Sequence, residues 1–287
     1  RLVFKAALVS PHFLFREEFQ PNSNDSESIH QLDAFALASR LSYFLWSSTP
    51  DDRLMKLARD NTLFSNLEGE VLRMISDEKS DGFIKNFTGQ WLQIRDLDLI
   101  EPDRKRFPSF SAELRESMRH ETESFFAYIL RGNRTVFDFI KSEYTFVNQS
   151  MAQFYELSGR FGNKFEKVNL PNGQLVQSGG FLTQASILAI TSNATRTSPV
   201  KRGRWVLDNI LGAPPKDPPP GITDLEDFEN HNSASLSLRE QMAIHSKNSS
   251  CSSCHASMDA MGYTMENFDA IGKWRYSENG RPVNSNG

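Results

Sequence analysis

Between Leu32 and Gly212, apolar residues return at the three- and four-residue intervals of amphipathic helices, and short polar stretches carrying cap residues separate the runs. Phe35, Ala38, Leu41 and Leu45 form the first stripe, on a helix expected from about Leu32 to Trp46. The next helix is expected to start at Thr49 as N-cap, with Pro50 at the first helical position and Asp51 and Asp52 facing the helix dipole. "NLEGEVLRMISDEK" predicts a short helix and leads into "DGFIKNFTGQWLQI". "FSAELRESMRHETESFFAYILRGN" predicts the longest one, ending at Arg131 with Gly132 as its C′ residue. "TVFDFIKSEYTFVNQSMAQFYEL" continues the helical pattern with one turn inside it. Only "NKFEKVNLPNGQLVQSGGF" reads as strand, a hairpin or two around Pro171 and Gly173. "SPVKRGRWVLDNILG" restarts a helix, capped by Ser198, opened by Pro199 and closed by Gly212. The fold class is therefore mainly α: a multi-helix domain with a small β-hairpin element, then a small helical C-terminal segment. There is no internal repeat.

The pattern breaks once. "APPKDPPPGITDLEDFENHNSASLS" is rich in proline, acids and small polar residues, a composition that stays extended and packs poorly. It divides the chain into a helical domain over 1–212, a linker over 213–234 and a C-terminal segment over 235–287. That last segment is too small to fold alone without a cofactor or a neighbour.

Composition narrows the class. Hydrophobic residues make up 38% and charged residues 24%, which describes a globular protein, and a net charge of −4 argues against nucleic acid as the main partner. No run of 18 apolar residues occurs, so no membrane-spanning segment is expected. Pro11 and His12 interrupt the only early apolar run, so any export signal is expected upstream of Arg1.

Both cysteines of the chain, Cys251 and Cys254, lie in "SSCSSCHASMDAM", followed directly by His255. A random placement producing C-x-x-C-H has a chance on the order of 1 in 7000, so the arrangement has a physical cause. A redox disulfide favours a helix start after a buried strand, whereas "AIHSKNSS" is polar. A zinc site needs four ligands, and these residues supply three at most. Covalent haem uses all three: two thiols for the porphyrin vinyl groups and the imidazole for the iron. One covalent haem c is the expectation, with a zinc or structural use of the motif as the alternative. Thr197, Ser198, Lys201, Arg202 and Arg204 gather donors and positive charge at a helix start, which suits an anionic group such as a haem propionate, or a solvated basic face. His120 lacks the second histidine of a zinc-protease helix, and Glu121 and Glu123 read as one solvated and one semi-buried carboxylate.

Four stretches carry a resemblance: "ALASRLSYFLWSSTPDDRL", "FTGQWLQI", "GGFLTQASILAITSNATRTSPVKRGRWVLDNILGAPP" and "CSSCHASMDAMGYTMENFDAIGKWR". In this order they are similar to modules of the multi-domain cytochrome-like proteins of unknown function that are abundant in planctomycetes. The likeness runs from about Leu2 to Gly287. It implies an exported protein, periplasmic or extracellular, with a c-type haem, a redox partner protein and further modules in the same polypeptide. For the distal iron ligand it favours His245, which matches a recurrent histidine of the family, before Met261 or Met265; an open or water-bound site comes third. The functional expectation is electron transfer through one covalent haem; the alternative is a peroxidase- or oxidase-like haem enzyme with an open distal site.

Overall fold

The computed structural model describes residues 1–15, 27, 29–170, 180–215, 237–245, 249–278 and 280–287; the side chains of 12, 241, 243–245, 249–254 and 256 lie outside the description. The described residues form helices with two small antiparallel two-stranded sheets, in two compact units, Arg1–Asn86 and Phe87–Gly287. The expected mainly α class with a small β element is what is observed.

In the first unit, α1 (Leu2–Leu8) and α2 (Pro11–Leu14) precede α3 (Ala34–Trp46), α4 (Asp52–Arg59) and α5 (Leu67–Ser76), and the boundary falls inside α6 (Asp81–Trp91). Asp33 caps α3 by accepting the backbone N–H groups of Phe35 and Ala36. The buried stripe of α3 runs through Ala34, Ala38, Leu41 and Leu45, so Phe35, one position round the helix, is 47% exposed and not the inward residue expected. Asp51, not Thr49, caps α4: its Oδ1 accepts from Leu54 N at 2.9 Å while Oδ2 accepts from Arg73 Nη1 at 2.8 Å. A carboxylate that binds both a helix start and a guanidinium outcompetes the threonine, and these contacts hold the Asp51 carboxyl below its ordinary range despite partial burial.

The second unit is built on α7 (Ala112–Arg131), capped by Ser111. Its Leu114 and Met118 pack against Val147 of β1 (Tyr144–Val147), Met151 and Phe154 of α8 (Gln149–Phe154), and Ile271. Burying each such side chain contributes roughly 1.5–3 kcal/mol. Gly132 follows α7 with φ −83°, and Asn133, at φ 45°, takes the left-handed position instead. "YTFV", expected to be helical, is β1, as its aromatic and β-branched residues favour. It pairs antiparallel with β2 (Glu166–Asn169), Tyr144 opposite Asn169 and Val147 opposite Glu166. The turn expected at Pro171 and Gly173 lies outside the described residues.

Downstream come α9 (Ala185–Ile190) and α10 (Pro199–Trp205). Ser198 Oγ accepts from Lys201 N at 3.3 Å and Pro199 opens the helix, as expected; a π-helical turn over Val206–Ile210 comes next, and Gly212, at φ 60°, ends the run. Then α11 (Leu238–His245) and α12 (Ser249–Tyr263) lead to a small sheet, β3 (Ser277–Glu278) with β4 (Arg281–Pro282). Most of the expected linker, from residue 216 onward, is outside the described residues.

α10 and α12 pack with backbones almost touching. A methyl group on Gly203 would stand 1.8 Å from the Met258 carbonyl oxygen, and one on Gly262 would stand 1.9 Å from that of Pro199. Only glycine permits this approach, and it is used from both sides.

Candidate functional site

Positions 251, 254 and 255 all fall on α12, so the C-x-x-C-H motif is helical: 251 and 254 are one turn apart, and 255 stands over 251 at the i, i+4 spacing. Of these side chains only His255 is described. Its Nδ1 lies 3.0 and 3.2 Å from Asp259 Oδ1 and Oδ2, and both residues are mostly buried. A carboxylate only accepts, so Nδ1 carries the hydrogen and Nε2 presents the ring's lone pair. The Asp259 contact, outweighing burial, raises the imidazole above its ordinary pKa. Asp259 was missed from sequence, although i, i+4 spacing from a candidate ligand was the signal that would have found it.

The other candidates are dispersed. His245 ends α11, but its side chain, like those of Cys251 and Cys254, lies outside the described residues. Met265 is buried with Leu188 and Phe268, and Met258 is buried at the α10 crossing.

Arg202, expected to face an anionic group, is fully buried inside the protein. Its Nη1 donates to the carbonyls of Met265 (2.6 Å) and Phe268 (2.9 Å), and its Nη2 donates to Asp269 O (2.7 Å) and Ser192 Oγ (3.2 Å). All four terminal hydrogens are thus committed to protein acceptors, and the side chain works as a latch on the 265–269 turn. Burial lowers its pKa to about 10, so it stays charged at neutral pH. Glu266 supplies counter-charge: Oε1 lies 3.5 Å from Nη1, beyond a good hydrogen bond, while Oε2 accepts from Thr197 Oγ1 at 2.8 Å. Burial raises the Glu266 carboxyl, partly offset by Arg202. Arg204 is partly exposed, its Nε 3.4 Å from Asp208 Oδ2.

Glu121 of α7 also differs from expectation. Glu123 is half-buried, but Glu121 is only 1% exposed. It accepts from Thr145 Oγ1 at 2.5 Å and from Tyr155 Oη at 2.8 Å. Burial pushes its carboxyl up to about 7 against those bonds, and the same burial drives the Tyr155 hydroxyl well above its usual range. Helical periodicity did not mark Glu121, because its two partners arrive from β1 and from the residue after α8.

Among the described residues no helix is long and apolar enough to cross a membrane. Residues 32–157 match the family model PSD4, protein of unknown function (DUF1592), and residues 178–278 match PSCyt3, protein of unknown function (DUF1588). No curated protein and no solved structure matches the chain. The two models cover in succession the helical part and the segment bearing the C-x-x-C-H helix. The chain belongs to the multi-domain cytochrome-like proteins of unknown function.

Proposed function

We propose that the chain carries one covalent haem c on Cys251 and Cys254, with His255 as an axial ligand, and passes electrons to a redox partner outside the cytoplasm. The observation that carries this reading is the His255–Asp259 pair. A ligating histidine normally donates its second ring N–H to a carboxylate or carbonyl, which fixes the tautomer and the ring plane. The 3.0 Å contact between His255 Nδ1 and Asp259 is of this kind, and it supports the reading with Nε2 as the proposed ligating atom.

When bound, haem supplies a one-electron iron couple. The chain's own part is to hold the helix that bears the ligands. The Gly203–Gly262 crossing and the Arg202 latch fix the far end of α12 and the turn after it. Arg204, at the partly exposed side of α10, is the basic group proposed to meet an anionic edge, since Arg202 is committed inward. His245 is the proposed distal ligand.

The test is production in a host with a cytochrome c maturation system. The red colour should survive acid–acetone extraction, and Cys251→Ala with Cys254→Ala should abolish it; covalent colour in the double variant, or stoichiometric zinc in its place, refutes the haem reading. Electron transfer further expects a low-spin spectrum indifferent to carbon monoxide, which His245→Ala converts to a high-spin, carbon-monoxide-binding one. A wild-type spectrum that is already high-spin excludes His245 and moves the function to peroxide or oxygen chemistry.

A further inference from the structure

Holding an imidazole in one tautomer and one plane needs only an acceptor, and a backbone carbonyl serves that purpose as well as a carboxylate. The acceptor that faces His255 is nevertheless an anion, the side chain of Asp259. Asp259 is 8% exposed, and among the described residues no lysine or arginine forms an ion pair with it, so its charge is turned on the histidine.

The carboxylate is also placed independently of the ring it meets. Asp259 follows Met258, whose carbonyl oxygen lies against Gly203, and stands three residues before Gly262, which lies against the Pro199 carbonyl. Backbone contacts with α10 thus pin the helix on both sides of Asp259. From that fixed turn its oxygens reach back one turn to accept from His255 Nδ1 at 3.0 and 3.2 Å.

An anionic acceptor does more than orient. A hydrogen bond to a carboxylate is roughly twice as strong as one to a neutral oxygen. It draws the Nδ1 proton toward Asp259 and makes Nε2 the more basic ligand atom. Burial of the pair leaves the negative charge poorly screened. A more basic ligand and a nearby negative charge both favour iron(III) over iron(II), and such hydrogen bonding is one of the means by which a protein sets a haem potential. We propose that Asp259 is a positioning residue that acts through His255 to hold the iron couple at low potential. The reduced protein then gives its electron up readily, and only a strongly reducing partner restores it. The inference rests on the haem reading above.

The test is a spectroelectrochemical titration of the full chain, matured with haem, as wild type, Asp259→Asn and Asp259→Ala. Asparagine keeps an oxygen that accepts from Nδ1 and removes only the charge. It should shift the iron(III)/iron(II) equilibrium about tenfold toward iron(II), a rise of about 59 mV for a one-electron couple. Covalent haem and the spin state should stay as in wild type. Asp259→Ala, which removes charge and acceptor together, should rise at least as far. An asparagine variant within threefold of wild type, or shifted the other way, overturns the proposal. If only alanine then differs, Asp259 orients the ring and has no electronic influence. Should one variant fail to hold haem, the other decides by the same limits. Loss of haem in both also overturns the proposal, because Asp259 would then be needed for assembly. Wild-type protein without covalent haem overturns the haem reading as well, which separates the two failures.

Discussion

Replacing Gly262 by alanine should destabilise the protein, against the ordinary sign of that change. In a helix interior, alanine is favoured over glycine by roughly 1 kcal/mol. Here the new methyl carbon would lie 1.9 Å from the Pro199 carbonyl oxygen and 2.4 Å from its carbon, both backbone atoms that no rotamer change can move aside. Contact at an ordinary separation of about 3.4 Å requires the helices to part by roughly 1.5 Å. Parting them loosens Met258, buried at the same crossing. Overpacking a core typically costs about 1–3 kcal/mol, and an unyielding backbone places Gly262→Ala at or above the top of that range, after the helix-propensity gain is offset. Gly203→Ala should behave alike, with its methyl 1.8 Å from Met258 O. The two changes force the same separation, so once the helices have parted the second methyl adds little. The double variant should fall well short of the sum of the singles, a coupling of about 1 kcal/mol or more. Urea unfolding tracked by far-ultraviolet circular dichroism measures all three. A neutral or stabilising Gly262→Ala, or strictly additive singles, would show that the helices do not pack this closely.

Two buried or capping carboxylates give further outcomes. Glu121 has a folded pKa of about 7 against an ordinary 4.5, so its contribution to stability declines as pH rises from about 4.5 through 7; Glu121→Gln should remove up to ~3 kcal/mol of that decline, read as a flatter melting-temperature profile between pH 4.5 and 8. Asp51→Ala removes the α4 cap and the Arg73 contact together and should cost about 1–2 kcal/mol, with Asp51→Ser recovering the cap share only, as measured by chemical denaturation.

What sequence made legible was local. The Ser198 cap, the Pro199 start and the Gly212 stop are written in neighbouring residues and stand as expected. So does the helical C-x-x-C-H motif, whose spacing needs no tertiary information. Tertiary partners defeated the rest. Arg202 looked like a surface cation at a helix start, but three of its acceptors are backbone carbonyls 63 to 67 residues downstream, which no side-chain pattern records. Glycines 203 and 262 carry no periodic signal, and their meaning exists only in the crossing. The strand at Tyr144–Val147 was hidden inside an apolar run that helical spacing also fits, and its pairing with Glu166–Asn169 decided the matter.

The latch itself yields a test in which charge and shape separate. Lysine at position 202 would keep the positive charge but has three tetrahedral donors in place of a planar fork, and cannot reach Met265 O, Phe268 O, Asp269 O and Ser192 Oγ together. At least one buried acceptor is stranded and the rest are poorly aligned, so Arg202→Lys should cost about 3–5 kcal/mol, close to outright removal of the pair. Arg202→Met removes the charge as well, and this adds a pH signature. In the native protein Arg202 holds down a Glu266 carboxyl that burial raises. Without the guanidinium that carboxyl rises further, and a group whose folded pKa exceeds its unfolded one loses stability as pH climbs through the folded value. The penalty of Arg202→Met should therefore be larger at pH 8 than at pH 5, and Glu266→Gln added to it should cancel the difference. The lysine variant, still charged, should show a pH-independent loss. An Arg202→Lys penalty below about 1 kcal/mol would mean that charge alone holds the 265–269 turn; a methionine penalty flat with pH would mean that Glu266 does not answer to Arg202. The paired result, a shape penalty at every pH and a charge penalty that grows toward high pH, is the signature of one buried guanidinium doing both jobs for the segment after the C-x-x-C-H helix.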